Sequence, residues 1–324
     1  MTRTSSMLIA IAVAVTLAFA ALGNALANRA KDQFEAEQPP KGQFVTVDGV
    51  RMHALLLGPD EVGDDNAVPV VLIHGASVNA GDMQVALGQA LSKERRVLIV
   101  DRPGHGYSER PIDGWRLARQ AQLIKGVADA LGVEKPIVVG QSYGGAVALR
   151  YALDYHDDIS GLVGIAPVSH EWPGGVAWYN NVSGVPGVGH LLRWFVIPPL
   201  GKSLVKSDFA SAFDPAPPPD NYGERAGGVL LFRPGAFRAN AEDLRKLKGE
   251  IIDQSGRYGD IQHPTVIAVG TADTTVSPTL HAERLAVEID GATILRFPEA
   301  GHPLHHLEST TILDEIRRMA SVAR

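Results

Sequence analysis

The strongest structural signal in the sequence is the stretch Pro136-Ile-Val-Val-Gly-Gln-Ser-Tyr-Gly-Gly-Ala-Val-Ala-Leu-Arg150. It opens with a β-branched apolar run that predicts a buried strand and closes with an Ala/Leu-rich run that predicts a helix. Gly140 and Gly144 lie two residues on either side of Ser142 and leave the space that a sharp strand-to-helix turn needs. Such a turn exposes the serine hydroxyl above the sheet, next to a helix N-terminus that favours negative charge. The stretch therefore predicts a nucleophile elbow, which needs a base, an acid and an oxyanion hole elsewhere in the chain.

Composition narrows the class of protein. The chain has 324 residues, enough for one large α/β domain or two smaller ones, and its 45% hydrophobic and 20% charged residues are typical of a globular protein. The formal net charge is −6 with no basic cluster, so we expect no nucleic-acid partner. Cysteine is absent, which excludes disulfides, thiolate metal sites and cysteine nucleophiles.

The N-terminus carries an apolar run, Met7 to Leu22, and no charge between Arg3 and Arg29. With small residues at 25–27, residues 1–28 are predicted to be a cleaved signal peptide or a single membrane anchor, since about 20 apolar residues span a bilayer. A buried core helix is disfavoured because the run has no polar face. Residues 29–42 are predicted as a polar linker. We expect the body of the protein to be exported, to a periplasmic or extracellular location, or to be attached to a membrane.

From residue 43 onward, predicted strands alternate with predicted helices. A hairpin is expected over 43–48 and 51–57, and buried strands over 68–74, 96–101, 137–139, 159–165, 263–270 and 292–297. This alternation predicts an α/β fold for residues 43–324, with a mostly parallel central sheet flanked by helices. Residues 168–261 interrupt the pattern with tryptophans, a proline cluster and helical periodicity. In such sheets ligands bind at the carboxyl ends of the strands, where Ser142 falls.

Candidates for the acid and the base follow the last two predicted strands. Asp273 comes just after the strand 263–270, and His302 just after the strand 292–297. The chain order Ser, Asp, His is the one expected of this kind of elbow. An imidazole must take the serine proton during attack, and a carboxylate must hold that imidazole in the right tautomer. Ser142, Asp273 and His302 are therefore the predicted catalytic residues.

Other residues compete for these roles. Glu299 is the alternative acid, and His305 and His306 are alternative bases. Asp101 is expected to form a turn, because aspartate accepts hydrogen bonds from nearby amides. His53, His74 and His105 are expected to be structural, the last two by holding loops under the site.

The oxyanion hole is predicted to consist of two backbone amides, those of Ala76 and Tyr143. The Tyr143 side chain is equally compatible with a pocket wall. No cofactor and no metal are expected. His302, His305 and His306 are clustered in sequence, but neighbouring histidines on a helix are expected to point to different faces.

As a set, these motifs resemble the α/β-hydrolase fold family, in particular its lidded serine esterase and lipase-like hydrolases. The matching residues are His74-Gly75, Asp101-Arg-Pro-Gly-His-Gly-Tyr-Ser108, Gly140-Gln-Ser-Tyr-Gly144, Gly270 to Asp273, and Gly301-His302. The resemblance covers about residue 43 to the C-terminus. It implies that residues 168–261 include a helical cap inserted over the site. Relatives that open epoxides or remove halides carry aspartate at the elbow, so the serine argues against those activities.

The expected function is hydrolysis of a small-molecule carboxylic ester through an acyl-enzyme. The same triad acting on a thioester, an amide or a carbon–carbon bond, or in perhydrolysis, remains an alternative, as does a non-catalytic binding protein of this fold. The cap aromatics are expected to pack cap helices or to line an acyl pocket; they are Trp172, Trp178, Tyr179, Trp194 and Phe195. The segment 191–197 has the alternative of lying against a membrane.

Overall fold

The computed structural model describes residues 3–59 and 67–322, apart from the side chains of residues 3, 4, 202, 204 and 206–208. Eight strands form one sheet: β1 Gln43–Val47, β2 Val50–Leu57, β3 Val70–Ile73, β4 Val97–Val100, β5 Ile137–Gln141, β6 Gly161–Ile165, β7 Thr265–Gly270 and β8 Thr293–Phe297. Their order across the sheet is β1-β2-β4-β3-β5-β6-β7-β8. The pairs β1–β2 and β2–β4 are antiparallel and all others are parallel, which confirms the predicted fold class.

Six longer helices accompany the sheet: α1 Arg3–Glu37, α2 Leu117–Ala130, α3 Tyr143–Asp154, α4 Ile197–Ala212, α5 Pro234–Ser255 and α6 Ser309–Val322. Shorter α-helical pieces are Ala80–Met83, Gln89–Leu91, Trp178–Ser183, Val188–Leu191, Tyr222–Arg225, Arg284–Glu288 and Leu304–Leu307. Single π-helical turns cover Gln84–Gly88, Leu192–Val196 and Thr279–Glu283, and 3₁₀ turns cover His156–Asp158, Gly228–Phe232 and Tyr258–Asp260.

The central strands are buried on both faces. In β3, Val71 and Ile73 belong to one hydrophobic cluster, whereas Val70 and Leu72 belong to the cluster on the opposite face. Successive side chains of a strand point to opposite faces, so a run that is apolar throughout fits a sheet covered by helices on both sides. This three-layer arrangement explains why β3 and β4 show no polar alternation.

The cap boundary differs from the prediction. Between β6 and β7 the described secondary structure is helical, within the predicted insertion 168–261. However, Leu247 and Ile251, in the second half of α5, and Tyr258 beyond it are buried in the same cluster as the sheet. This part of the insertion therefore belongs to the body, and helical periodicity alone does not separate it from the cap.

The N-terminal segment also differs from the prediction. Residues 29–37, expected to be part of a polar linker, continue helix α1 without a break. On this helix Gly23, Ala27 and Phe34 are buried at helical spacing, while the apolar side chains between Met7 and Leu22 are largely exposed. The C-terminal half of α1 is therefore held by tertiary contacts with the cap, which a local sequence pattern does not reveal.

Candidate active site

The predicted elbow lies between β5 and α3. Ser142 has a φ of 54° and a ψ of −115°, a strained conformation for a residue with a side chain. The turn is held by the Ser142 amide, which donates to the Ile165 carbonyl at 2.9 Å. A Cβ atom at Gly140 would lie 2.2 Å from the Gly144 carbonyl oxygen, and one at Gly144 would lie 2.3 Å from that of Ile73. Both positions therefore require glycine, for the steric reason that the sequence suggested.

The structure brings the predicted acid and base together. His302 Nδ1 lies 2.7 Å from Asp273 Oδ2. Asp273 Oδ1 accepts hydrogen bonds from the backbone amides of Thr275 and Val276 at 2.8 and 2.9 Å. The carboxylate is thus fixed on one side by backbone and on the other by the imidazole. Glu299, the alternative acid, is exposed to solvent.

Gln141 is a site residue that sequence reasoning missed. Its side-chain amide nitrogen lies 3.2 Å from His302 Nε2, the atom that a catalytic imidazole turns toward its serine. With Nδ1 donating to Asp273, Nε2 is the acceptor in this contact. Among the residues that the structure describes, Ser142 and His302 form no direct hydrogen bond. Catalytic hydrogen bonds often tighten only when substrate is bound.

The turn after β3 lies against the elbow. A Cβ atom at Gly75 would lie 2.2 Å from Gln141 Oε1, so the two turns are in contact. Across residues 3–59 and 67–322, no acceptor is found for the amides of Ala76 and Tyr143. Two free amides on adjoining turns beside a serine are the donors that an oxyanion needs.

Asn240, on α5, fixes this turn and was also missed. Its Oδ1 accepts from the Ser77 amide at 2.7 Å, and its Nδ2 donates to Ser77 Oγ at 3.1 Å. Ser77 has a φ of 63°, in the left-handed region. The strained residue after Ala76 is therefore held by the α5 helix, 163 positions away in sequence.

Arg102 connects the same turn to α5 from beneath. Its fully buried guanidinium donates to the carbonyl oxygens of His74 and Gly75 at 3.1 and 3.0 Å and to Asp243 Oδ2 at 2.8 Å. Gln120 accepts a fourth hydrogen bond at 3.0 Å. Since one group satisfies two strand-end carbonyls and a buried carboxylate, Arg102 holds the backbone that carries the Ala76 amide.

The histidines expected to be structural are placed as predicted. His74 Nδ1 donates to its neighbour's carbonyl, and Nε2 accepts from the Arg102 amide at 3.0 Å. Burial, assisted by the Arg102 charge, lowers the pKa of His74 to about 4. Burial also lowers the pKa of His105 well below its usual value.

Asp101 forms the turn that was predicted for it. Its carboxylate accepts from the amides of Ala80 and Tyr107 at 2.8 Å each and pairs with His53 at 2.7 Å. Burial alone would raise the pKa of Asp101, but the His53 imidazole and these donors hold it below its ordinary value. A Cβ atom at Gly106 would lie 2.0 Å from this carboxylate, so glycine is required there.

His305 and His306 overturn one expectation. Their rings do not point to different faces: each Nε2 lies 2.8 Å from an oxygen of Asp82, and Tyr222 donates to the same carboxylate at 2.7 Å. The short helix Leu304–Leu307 begins after a proline, and its two rings converge on the neighbouring helix. Burial would raise the pKa of Asp82, but the two imidazoles hold it well below its usual value.

Within the described part of the chain, Asp82, His305 and His306 are the group whose ligand atoms, all within 4.8 Å of one another, could hold a metal ion. The contacts of Asp82 with the two rings are at hydrogen-bonding distance, so the carboxylate is satisfied by protein groups alone. In the part of the chain that the structure describes, both histidines bond to Asp82 and neither forms a hydrogen bond with Ser142 or Asp273, whereas His302 pairs with Asp273.

The aromatic residues singled out from the sequence lie in separate places. The Tyr143 ring is buried beneath the elbow, where Arg102 lies 4.2 Å from its centroid, so it is not a pocket wall. In the cap, Trp178 is 72% exposed, and Phe195 stacks on Phe19 of α1 at 4.7 Å. A cavity of about 620 Å³ lies between the end of α1 and the cap, and neither Ser142 nor His302 lines it.

Comparison with known proteins shows the family of the chain. The family model described as alpha/beta hydrolase fold matches residues 68–309. The chain is 26% identical to a 2-hydroxy-6-oxo-6-phenylhexa-2,4-dienoate hydrolase of Burkholderia cepacia over 273 residues, which are 83% of this chain and 92% of the relative.

Solved structures with the same fold include an enol-lactonase from Burkholderia xenovorans LB400, with a TM-score of 0.65 at 21% identity over 86% of this chain and 100% of that one. An esterase from Rhodococcus sp. ECU1013 has a TM-score of 0.65 at 22% identity over 87% of this chain and 98% of that one. The fold, the match to the family model and the hydrolases among its relatives lead to one conclusion. The chain belongs to the alpha/beta hydrolase family and is a hydrolase.

Proposed function

We propose that the protein hydrolyses a neutral carboxylic ester through an acyl-enzyme formed on Ser142. The observation that carries the proposal is the 2.7 Å pair of His302 and Asp273 beside a strained serine elbow. A buried carboxylate, an imidazole and a serine at the end of a strand are the groups that a serine nucleophile needs for its activation.

The reaction follows from these positions. Ser142 Oγ attacks the carbonyl carbon while its proton passes to His302 Nε2, and Gln141 gives up its hydrogen bond to that atom. The carbonyl oxygen becomes an anion that accepts from the amides of Ala76 and Tyr143. The C–O bond to the alcohol then breaks, and the alcohol leaves with the proton from His302. Water then attacks the acyl carbon while His302 takes its proton. The bond from the acyl carbon to Ser142 Oγ breaks, the acid leaves, and His302 returns the proton to Ser142.

The charge of the substrate is argued from Arg102. This cation lies against the oxyanion turn, but its five N–H donors are already used: four by two carbonyls, Gln120 and Asp243, and the fifth by His105 Nε2 at 3.4 Å. It therefore has no donor free to bind a substrate carboxylate. A neutral ester fits such a site better than a dienoate anion.

Cleavage of a carbon–carbon bond is the second candidate. The observation that favours it is the 26% identity, over 83% of this chain, to a hydrolase of 2-hydroxy-6-oxo-6-phenylhexa-2,4-dienoate. The same serine and histidine would serve, but this substrate also requires recognition of its carboxylate.

The test is hydrolysis of p-nitrophenyl esters of graded acyl length and of that dienoate by the full chain. Ser142→Ala is expected to lower kcat for the preferred substrate by about 10⁴-fold or more. Ser160→Ala is the matched control, since Ser160 lies before β6 at the opposite edge of the sheet and its hydroxyl donates to the Lys135 carbonyl. Turnover of the dienoate without ester turnover would contradict the ester proposal. If the protein turned over no substrate and a fluorophosphonate did not label Ser142, the result would favour a binding protein.

We also propose that α1 is a retained membrane anchor. It is the described helix that is long and apolar enough to cross a bilayer. Its exposed apolar half continues directly into a half that is held by the protein. Glu35 pairs with Arg233 at 2.7 Å, and Gln38, the residue after the helix, donates to the Glu224 carbonyl at 2.9 Å. These contacts favour a helix that stays with the body over a signal that is removed as a separate segment.

A further inference from the structure

The cap exposes an apolar face at its outer surface. Val188, Leu191, Val196 and Leu200 are each between 43% and 49% exposed. They lie on one continuous helical segment, Val188–Leu191, Leu192–Val196 and the start of α4. The π-helical turn in its middle adds one residue to the usual spacing, which keeps Val196 on the same face as Leu191. We call residues 188, 191, 196 and 200 the cap stripe.

The opposite face of this segment is buried. Arg193 points inward and donates to the Ser183 carbonyl at 2.9 Å, and Ile197 is packed in a small cluster with Phe34 of α1. The segment is thus amphipathic in the reverse sense, with its cation inside and its aliphatic residues outside. In water such an arrangement leaves apolar side chains exposed to solvent. Exposed apolar patches of this kind are typical of interaction surfaces.

Helix α1 lies directly beside the cap stripe. Phe19, Gly23, Ala27, Ala30 and Phe34 form one helical face toward the cap. The helices approach so closely that a Cβ atom at Gly23 would lie 2.7 Å from the Phe195 ring. Phe195 precedes Val196 of the cap stripe, so the stripe is adjacent to the end of the apolar half of α1.

A cleft of about 330 Å³ opens between the two helices, with Leu26, Phe34, Trp194 and Pro199 among its walls and Arg29 beside them. Aromatic rings and a cation at the end of an apolar helix are typical of the boundary between lipid headgroups and acyl chains. The cleft and the cap stripe therefore lie beside α1 at about the same height along its axis, near the end of its apolar half.

We infer that the cap stripe lies in the headgroup and acyl boundary of the lipid bilayer that α1 enters, so that the cap is docked on the membrane surface. The inference rests on the proposed anchor, because only a membrane-inserted α1 brings the cap stripe to this depth. Its physical basis is continuity: the exposed aliphatic side chains of α1 between Met7 and Leu22 and those of the cap stripe form neighbouring apolar surfaces. Burial of aliphatic side chains beside an anchor adds to membrane affinity.

The test uses the absence of cysteine from the chain, which allows single cysteines to be labelled without background. The full chain is placed in nanodiscs of phosphatidylcholine and phosphatidylglycerol and labelled with the fluorophore NBD at Leu191→Cys or Leu200→Cys. Val287→Cys is the matched control, an 86% exposed aliphatic residue on the helix Arg284–Glu288. Leu17→Cys reports on the anchor itself.

Bleaching by dithionite in water is expected to be at least about tenfold slower at positions 191 and 200 than at 287, and doxyl-labelled lipids are expected to quench only the protected positions. Protection at 17 with bleaching at 191 and 200 as fast as at 287 would overturn the docking and leave the anchor intact. Rapid bleaching at 17 would overturn the anchor and the docking together.

Discussion

At the carboxyl edge of the sheet, polar groups are buried and held by backbone hydrogen bonds, whereas the outer face of the cap exposes aliphatic side chains. Asp273 is fixed by two backbone amides, and Ser77 by the amide group of Asn240. On the cap, the side chains of Leu191 and Leu200 are exposed at the protein surface. The first region needs one geometry for chemistry, and the second needs only a continuous apolar surface. The difference predicts that single substitutions matter greatly at the edge and little on the cap.

The largest effect is expected at Asp273, the proposed catalytic acid. Asp273→Asn removes the acceptor that holds His302 in its tautomer, and kcat is expected to fall by about 10⁴-fold. Steady-state kinetics on the preferred ester measures it, with circular dichroism to check folding. Glu299→Gln is the matched control, because Glu299 is exposed and near in sequence. Equal losses of kcat in the two variants would show that activity does not depend specifically on the contact between Asp273 and His302.

A second prediction concerns pH and the buried His74. The folded protein keeps this imidazole neutral to about pH 4, whereas the unfolded chain protonates near 6.5. The associated stability is complete above pH 6.5 and is lost as the pH falls toward 4, by about 3 kcal/mol in the limit. Urea unfolding at several pH values should show a shallower acid loss in His74→Gln. His156→Gln, at an exposed histidine, should retain the wild-type slope.

A third prediction sharpens the role of α5 at the site. Asn240→Ala removes the acceptor for the Ser77 amide and loosens the turn that presents the Ala76 amide. We expect kcat to fall by about 10- to 100-fold with little change in KM, because the turn serves the transition state. Asn240→Asp keeps an acceptor oxygen and should restore most of the rate. An unchanged kcat in the alanine variant would show that the contact from α5 to Ser77 does not contribute to the reaction.

The smallest effect is expected where α1 meets the body. Glu35→Gln breaks the partly buried pair with Arg233, which should destabilise the docked helix end by about 1 kcal/mol or less. Tryptic cleavage after Arg29 or Lys31 should then be about threefold faster, while kcat is unchanged. Asp32→Asn, on the same helix and exposed, is the control. No change in cleavage would mean that the apolar contacts alone hold α1.

The serine elbow, the mostly parallel sheet and the meeting of Asp273 with His302 could be predicted from the sequence, because local geometry and strand direction impose them. A strand-to-helix turn at Ser142 excludes a Cβ atom at Gly140 and Gly144 for steric reasons, wherever the rest of the chain lies. Parallel strands end at one edge, so residues that follow strands meet there. The Asp273–His302 contact is an example.

The second layer of the site was not accessible in this way. Asn240 and Asp243 lie in a helix whose periodicity marks only its buried face, and their partners are 163 and 141 positions away. Asp82 likewise gathers two histidines more than 220 positions distant. Nothing local requires these pairs, so the expectation that the two rings diverge was wrong.

By itself the sequence determined the fold class, the sharp turn at Ser142 and the positions of Asp273 and His302 after two strands, because steric exclusion and hydrophobic periodicity act over a few residues. Only the tertiary structure decided that residues 29–37 form the end of a docked helix, that Gln141 lies on His302, and that the apolar face of the cap adjoins α1. These features depend on which distant surfaces meet, and that is set by packing of the whole chain.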